Sequence, residues 1–280
     1  MLLGTGWGYR VSGQLDLGSF GLALAAMVCV HAGVNVINDV YDDICGTDRV
    51  NPERISPYTG GSRFIQNGTM TTSQMTGWAV ILFAIAVVIG AILFAAKGVG
   101  VVLFGLTGAT LGVLYSMPPM RLSARGLGEA AVGLGFGILP VTGAAWLQSG
   151  SLGAGALLLS LPVSLWVANI LLVNEVPDAE ADGATGRRTL VVRLGPRGTG
   201  RVYLALNGLA VGCVMLSIAA GLLPVAAIAA PLALGLASIP AARGIGRTDD
   251  RRLALTRSIK ITLAIHGAGT LWLAGWVWVA

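Results

Sequence analysis

The stretch that decides the fold reads Asn35-Val-Ile-Asn38-Asp39-Val-Tyr-Asp42-Asp43-Ile-Cys-Gly46-Thr-Asp48. It begins where a long apolar segment ends, so we expect its carboxylates at a membrane surface. A second acidic cluster, Asn174-Glu-Val-Pro-Asp178-Ala-Glu-Ala-Asp182-Gly, follows a later apolar segment in the same way. Charged residues at a membrane edge are functional candidates, because burying a charge near hydrocarbon is costly. The two clusters together predict a metal site that binds a polyanion.

Composition identifies a membrane protein. Of 280 residues, 55% are hydrophobic and 11% charged, whereas about 25% are charged in soluble domains. Apolar runs long enough to cross a bilayer recur along the chain. They predict full spans at 18–38, 76–96, 99–116, 127–147, 154–173, 201–221, 224–242 and 259–279. Three scattered cysteines predict neither a disulfide framework nor a zinc site, and we expect no nucleic-acid partner.

The chain begins differently from the other apolar segments. Residues 1–9 read as the tail of a further helix, too short to cross alone, and they contain no cleavable signal peptide. We therefore expect an all-α, polytopic bundle of eight full spans plus a truncated first helix. Residues 1–280 form a single domain in this interpretation, with the spans around a central cavity.

Charge placement predicts the orientation. Of 18 Lys and Arg residues, only Arg10 and Lys97 fall on one side of the predicted spans, and the other 16 fall on the opposite side. By the positive-inside rule that side is cytoplasmic. Only Asp16 among the 13 acidic residues lies on the outer side. We expect a multi-pass protein of the plasma (inner) membrane with both acidic clusters on the cytoplasmic face.

The spacing of the acids favours one metal site between the two clusters. Asp39, Asp42 and Asp43 share a helical face, and Asn35 lies one turn earlier. Crowded carboxylates repel unless a cation lies between them, and oxygen ligands without Cys or His favour Mg²⁺. In the second cluster Asn174, Asp178 and Asp182 repeat a helical face, and Pro177 is expected to kink or end that helix. The alternative is a pair of solvated acidic loops.

Glycine and arginine follow each cluster, as Gly60-Gly61-Ser62-Arg63 and Gly186-Arg187-Arg188-Thr189. Exposed backbone N–H groups and planar guanidinium groups suit phosphate oxygens. Carboxylates, a divalent metal and arginines together can bind a diphosphate and stabilise its departure. The alternative for the arginines is membrane topology alone. This alternative is weakest for Arg63, Arg187 and Arg188.

These motifs resemble the UbiA-type intramembrane prenyltransferases, and their order matches over almost the whole chain. The resemblance is carried by the two acidic clusters, Gly-Gly-Ser-Arg (60–63), Leu-Tyr-Ser-x-Pro-Pro-x-Arg (114–121), Gly128-Glu129 and the run from Gly186 to Gly195. The ending Gly46-x-Asp48 and the run after Gly186 look most like 1,4-dihydroxy-2-naphthoate polyprenyltransferases of menaquinone synthesis. Family members usually open with a full first helix bearing an Arg-Pro-type start, and this chain begins after it.

The resemblance implies nine helices, with Mg²⁺ and a polyprenyl diphosphate held by two aspartate motifs under a cytoplasmic cap, and a lateral opening to lipid. It implies transfer of the polyprenyl group to an aromatic acceptor. Carried over, the Mg²⁺–diphosphate set is Asn38, Asp39, Asp42, Asp48, Asp178 and Asp182, with Asn35, Asp43 and Asn174 as further candidates. Candidate diphosphate or acceptor contacts are Arg63, Arg121, Arg187 and Arg188. Tyr115 is the candidate that stabilises the allylic cation.

Several residues have two possible interpretations from the sequence. Glu129 begins a predicted span, where it either caps the helix or positions the acceptor and removes a proton. His31 lies one turn before Asn35 and either orients it or packs in the core. Trp272, Trp276 and Trp278 are typical of an interfacial belt.

Other functions remain open from the sequence. The same fold accepts 4-hydroxybenzoate, a tetrapyrrole or a glycerol-linked lipid, or it cyclises a terpene. A cation transporter is a further alternative, although transporters place their acids midway along the spans. A non-catalytic membrane scaffold is the third.

Overall fold

The long apolar runs fold into helices, as expected. A computed structural model describes residues 1–247 and 249–279, and helices and their connections account for all of these residues. The nine helices of the described residues are α1 Leu2–Ser12, α2 Leu17–Ile44, α3 Thr72–Lys97, α4 Gly100–Ser116, α5 Gly128–Ser149, α6 Ala154–Ala184, α7 Leu190–Ala219, α8 Ala229–Ile245 and α9 Arg251–Val279. The prediction of an all-α membrane bundle is confirmed.

Six segments are long and apolar enough to cross a membrane, namely α2, α3, α5, α6, α7 and Val225–Ile245, which includes α8. Helix α4 is apolar but shorter, with 17 residues. The number of eight full spans therefore stays a prediction.

The helices extend beyond the predicted spans on the side that carries the charges. Helix α2 continues to Ile44 and α6 to Ala184, while α7 already begins at Leu190. An apolar run marks only the part of a helix that lies in hydrocarbon, whereas backbone hydrogen bonding continues through polar residues. Both acidic clusters consequently lie largely on helical extensions rather than in loops.

Helix α6 does not end at Pro177, so that part of the prediction was wrong, and a kink at this proline stays a prediction. Helix α6 runs through Pro162 and Pro177 without interruption. The helix that does break is α7, where Gly195 has φ 65° and ψ 174° just before Pro196. Proline has no N–H to donate and disfavours helical geometry in the residue before it, so the break falls at Gly195.

Helix α6 is the centre of the bundle. It contacts α1, α5, α7 and α9, and its Trp166 is 2% exposed. Gly269 of α9 makes this packing possible, because a Cβ there would lie 2.6 Å from the Trp166 ring. Gly137 of α5 likewise faces Ser164, where a Cβ would lie 2.3 Å from the Ser164 Cα. Small residues let membrane helices approach this closely.

Helices α2, α3 and α4 have large exposed apolar side chains, such as Val28, Val87 and Leu103. In a membrane these surfaces face lipid. Between α2–α4 and the α5–α6 pair lies a largely apolar cavity of about 730 Å³. Glycines of α4, including Gly105 and Gly108, line it together with aromatic and aliphatic side chains.

The tryptophans near the chain end make specific contacts. Trp278 stacks with Tyr9 and donates its indole N–H to the Leu2 carbonyl at 3.2 Å. Trp272 donates to the Ala227 carbonyl at 3.0 Å and meets Trp276 edge to face. These bonds tie α9 to α1 and to the start of Val225–Ile245, and the interfacial position of the indoles stays a prediction.

Candidate active site

The polar end of the cavity is formed by the first residue of each acidic cluster together with Tyr115. Asn35, Tyr115 and Asn174 line the cavity from α2, α4 and α6. Asp39 and Asp178 each follow one of these asparagines by one helical turn. The predicted acidic face is therefore continuous with the cavity. A molecule with an apolar tail and an anionic head has room for both parts.

The structure shows the predicted contact between His31 and Asn35 directly. The His31 Nε2 lies 3.2 Å from the Asn35 amide nitrogen, and its ring packs edge to face on Phe136. His31 lines the cavity rather than the buried core, and its contact with Asn35 is consistent with the orienting role, which stays a prediction.

Arg187 joins the two acidic clusters. Its guanidinium donates to the Asp42 carboxylate, and its Nε lies 3.1 Å from Asp182 Oδ1. The side chain is only 11% exposed. Burial lowers the pKa of Arg187, but the Asp42 and Asp182 carboxylates outweigh this and hold its pKa above the ordinary value. Arg187 is thus a permanent buried cation between the clusters.

The segment from Gly46 to Gln66, which we term the cap loop, covers the acids. Asn51 donates to Asp178 Oδ1 at 2.7 Å, and the Ser62 N–H donates to Asp39 Oδ2 at 3.1 Å. The hydroxyl groups of Thr47 and Thr185 lie 3.2 Å apart, which fixes the loop to the end of α6. The cap loop therefore contacts both acidic clusters at once.

Gln66 supports the other two carboxylates of the first cluster. Its amide nitrogen lies 3.1 Å from Asp43 Oδ1 and 3.1 Å from Asp48 Oδ2. Burial raises the pKa of Asp48 to about 6, against the opposing effect of Arg63. Asp43 also pairs with the exposed Arg49 at 3.4 Å.

Arg63 does not fit the predicted role of a diphosphate contact. Its guanidinium donates to the carbonyls of Gly60, Asp48 and Asn51, and the residue is 9% exposed. The φ of Arg63 is 62°, which turns the chain inward after the two positive-φ glycines before it. Its donors are used inside the cap loop, so Arg63 holds the loop in shape over the acids.

Arg121 and Arg188 form no ion pair with the acidic clusters in the described part of the chain, and their contact with substrate stays a prediction. Both line a second recess of about 250 Å³ together with Arg125 and Arg193. Arg121 packs over the Tyr41 ring and donates to the Cys45 sulfur at 3.2 Å. Arg187 and Arg188 are adjacent in sequence, yet one joins the acids and the other lines the recess.

The predicted substrate contact Asn38 donates to Ser116 Oγ at 3.0 Å and so links α2 to α4.

The residues present fit Mg²⁺ held jointly with phosphate. Among the described residues, six carboxylates, those of Asp39, Asp42, Asp43, Asp48, Asp178 and Asp182, have between them three arginines as ion-pair partners, at positions 49, 63 and 187. The buried amide oxygens of Asn51 and Asn174 have no hydrogen-bond partner within the described chain. Among the described residues no three acids converge closely enough to hold an ion alone. Mg²⁺ typically binds through one or two carboxylates plus substrate phosphates, which is the arrangement offered here.

Glu129 lies in the first turn of α5 and is 7% exposed. Its carboxyl group neighbours that of Glu175, which is 8% exposed. One oxygen on each carboxyl is buried without a partner in the described part of the chain. Two adjacent buried carboxyl groups satisfy each other only when they share a proton. The pair can therefore store a proton beside Tyr115 and the cavity end.

Sequence reasoning missed Asn51, Gln66 and Glu175 as site residues. Glu175 stands inside the second cluster, and its position three residues before Asp178 was the available signal. The sequence around Asn51 and Gln66 contains no signal for a site, because these residues reach the acids only when the cap loop folds back over them.

Comparisons with known proteins agree with these observations. The UbiA prenyltransferase family matches residues 1–266. The chain is 34% identical over 254 residues to the 1,4-dihydroxy-2-naphthoate octaprenyltransferase of Mycobacterium tuberculosis, covering 89% of this chain and 84% of that protein. The Mycobacterium leprae protein of the same name is 30% identical, with 91% and 84% covered. The match to the Bacillus subtilis protein of that name, at 26% identity, spans 66% of this chain and 58% of the relative.

Two solved structures share the fold. A UbiA homolog from Aeropyrum pernix has a TM-score of 0.70 at 20% identity, with 96% of each chain covered. A UbiA homolog from Archaeoglobus fulgidus, bound to GPP and Mg²⁺, has a TM-score of 0.67 at 16% identity and covers 97% of this chain and 94% of its own. At these identities the likeness concerns the fold alone.

Proposed function

Because this chain belongs to the UbiA prenyltransferase family, we propose that it transfers a polyprenyl group from its diphosphate to 1,4-dihydroxy-2-naphthoate, as in menaquinone synthesis. The observation that carries the proposal is one continuous site. An apolar cavity of about 730 Å³ ends at Asn35 and Asn174, one helical turn before Asp39 and Asp178 of the clusters that Arg187 joins. The names of the mycobacterial relatives support the acceptor.

The diphosphate is assigned to the two acidic clusters. Asp39, Asp42 and Asp48 from one side and Asp178 and Asp182 from the other would hold Mg²⁺ together with the phosphate oxygens. When bound, Mg²⁺ supplies positive charge that stabilises the departing diphosphate. The Archaeoglobus homolog, bound to GPP and Mg²⁺, supports this assignment. Asn35 and Asn174 provide polar contacts at the cavity end.

The reaction breaks the bond between the prenyl carbon and the diphosphate oxygen, and a ring carbon of the acceptor forms the new bond. The ring then regains its aromaticity by losing a proton from that carbon or its carboxylate as CO₂. Tyr115 lines the cavity end, and an aromatic face there would stabilise a nearby cation by about 1–2 kcal/mol when water is excluded. The apolar wall shelters the cation from water, and the cap loop closes the polar end.

Glu129 and Glu175 are assigned to the acceptor side as a proton-sharing pair. We expect Glu175→Gln to reduce turnover about 100-fold, because the amide keeps the size and the hydrogen bond but cannot accept the proton. The free energy of unfolding should change by no more than about 1 kcal/mol, since the amide can donate to the Glu129 carboxylate. Turnover and denaturation are measured on the same purified variant.

The matched control for this variant is Glu53→Gln, which alters an exposed acid of the cap loop. It should leave both quantities unchanged. Full turnover in Glu175→Gln would remove the pair from the mechanism. A loss of turnover that tracks a loss of stability would assign it a structural role.

We predict that the cavity wall makes the protein selective for the length of the polyprenyl chain. Gly108 lines the cavity, and a Cβ there would meet no atom within 4 Å. We expect Gly108→Leu to lower kcat/KM for a long polyprenyl diphosphate at least about tenfold while geranyl diphosphate loses less than about threefold, since only the long tail fills the cavity. The control is Gly77→Leu on α3, which is equally unobstructed but lies outside the cavity. Equal losses for both substrates would contradict the placement of the tail.

The acceptor is tested with purified protein, Mg²⁺ and radiolabelled polyprenyl diphosphate, given 1,4-dihydroxy-2-naphthoate, 4-hydroxybenzoate or no acceptor. We expect a prenylated product with the naphthoate alone. Product from 4-hydroxybenzoate would assign a different acceptor, and product without any acceptor would indicate a cyclase. Metal flux across liposomes without diphosphate release would indicate a transporter.

The chain is an integral membrane protein with several candidate spans. We further propose that it lies in the plasma membrane with the cap loop facing the cytoplasm. The excess of arginine and lysine on the side of the acidic clusters supports this orientation.

A further inference from the structure

A second polar site lies outside the proposed catalytic machinery. It is the recess of about 250 Å³ lined by Arg121, Ala124, Arg125, Gly186, Arg188 and Arg193. Four of these six residues are arginines and none is acidic. We propose that this recess binds the phosphate group of an anionic phospholipid.

The recess is held open by backbone acceptors rather than by counter-charges. Arg193 donates to the Arg188 carbonyl at 3.0 Å and to the Arg125 carbonyl at 2.9 Å. The Arg188 N–H donates to the Ala124 carbonyl at 2.9 Å, which joins the turn after α4 to the start of α7. The four arginines therefore surround a shared space, and none of them is paired with a carboxylate in the described structure.

Glycine permits the close approach of the two segments. Gly126 has φ 73°, and a Cβ there would lie 3.3 Å from both the Arg188 carbonyl oxygen and the Arg193 Nε. Arg121 adopts φ 45°, which turns the chain into the short helix Leu122–Arg125. The turn at Arg121–Gly126 therefore holds the arginine side chains close together, whereas a flexible loop would let them move apart.

Arginines whose role is only to set the orientation of the protein in the membrane do not need to lie around one cavity. Arg197, Arg201, Arg247 and Arg252 lie on the same side of the spans and are outside the recess. Four positive groups around one cavity repel each other unless an anion lies between them. Guanidinium groups bind phosphate oxygens through paired hydrogen bonds, so a phosphate group is the matching ligand.

The residues beside the recess favour a lipid over a free phosphate compound. Met117, Met120, Leu127 and Leu194 are large apolar side chains on the same two segments, and each is exposed. Basic pockets at the cytoplasmic ends of membrane helices are suited to anionic headgroups. A headgroup in the recess with acyl chains along these apolar residues satisfies both features.

The test measures lipid binding by the full chain in neutral detergent, by native mass spectrometry and thermal melting. Phosphatidylglycerol and phosphatidylcholine with the same acyl chains are compared, and inorganic diphosphate is the free-phosphate probe. We expect phosphatidylglycerol to bind and raise Tm, and Arg125→Gln/Arg188→Gln to weaken its binding at least about tenfold, as expected for losing charge-assisted hydrogen bonds. The Arg188 side chain makes no hydrogen bond in the described structure, so Arg188→Gln alone should fold normally. It should weaken binding less than the double variant does, which shows that the loss does not come from misfolding.

The control Arg197→Gln/Arg201→Gln removes the same charge from α7 outside the recess and should bind phosphatidylglycerol within about twofold of the wild type. Equal weakening in both double variants would overturn the proposal, because general charge would then explain binding. Displacement of the lipid by millimolar diphosphate would overturn the assignment to a lipid. Asp39→Asn should keep lipid binding, which separates this inference from the proposed transferase activity.

Discussion

Asp39→Asn and Asp178→Asn are each expected to reduce Mg²⁺-dependent turnover at least about 100-fold, the scale on which single charge-stabilising groups act. Asparagine preserves the size of each side chain and keeps an oxygen for the Ser62 N–H or the Asn51 amide. What each variant loses is one negative charge toward the metal. The loss should therefore appear in turnover and in the Mg²⁺ concentration needed for activity.

A matched control exists at the other end of α2. Asp16 accepts from the Ser19 N–H and pairs with Lys97 at 2.9 Å, and these contacts lower the pKa of its carboxyl group. It precedes Asp39 by about 35 Å along the helix. Asp16→Asn should keep full turnover. Wild-type turnover in either Asp39→Asn or Asp178→Asn at ordinary Mg²⁺ would contradict the assignment of the clusters.

Arg187→Gln is expected to impair both turnover and folding. The variant leaves Asp42 and Asp182 buried without their shared cation, and removing one partner of such a group costs about 3–5 kcal/mol. Turnover should fall at least about 100-fold, since the donor between the clusters is lost. Kinetics and denaturation of the purified variant measure the two effects.

Arg187→Lys separates charge from geometry. A lysine ammonium keeps the charge but lacks the planar fork that reaches both carboxylates. We expect it to recover most of the stability and little of the turnover. The control is Arg197→Gln on the same side of the bundle. If Arg187→Gln folds and turns over normally, the two clusters do not act as one site.

The membrane fold and the two acidic clusters could be predicted from sequence because they depend on local features. Hydrophobic length determines the spans, and the spacing of Asp39, Asp42 and Asp43 determines their helical face. The ends of the helices could not be predicted as well. Helix α6, for example, continues through Pro177. An internal proline costs one hydrogen bond, and the packing of α6 against four neighbours offsets that cost.

The arginines show where prediction from sequence stopped. Arg63, Arg187 and Arg188 follow glycines in similar motifs, yet Arg63 holds the cap loop, Arg187 joins the acids and Arg188 lines a separate recess. Their directions depend on positive-φ turns and on contacts between distant segments. The Glu129–Glu175 pair likewise joins α5 and α6, so neither residue identifies its partner by spacing.

The most direct test of the central claim is calorimetric binding of a non-cleavable polyprenyl diphosphate analogue to the purified chain. The two acidic clusters form one Mg²⁺–diphosphate site in this account. The wild type should then bind the analogue with Mg²⁺ and only weakly with EDTA, and Asp39→Asn and Asp178→Asn should each weaken Mg²⁺-dependent binding at least about tenfold. Binding that is equally tight without Mg²⁺, or that is unchanged in both variants, would contradict the account.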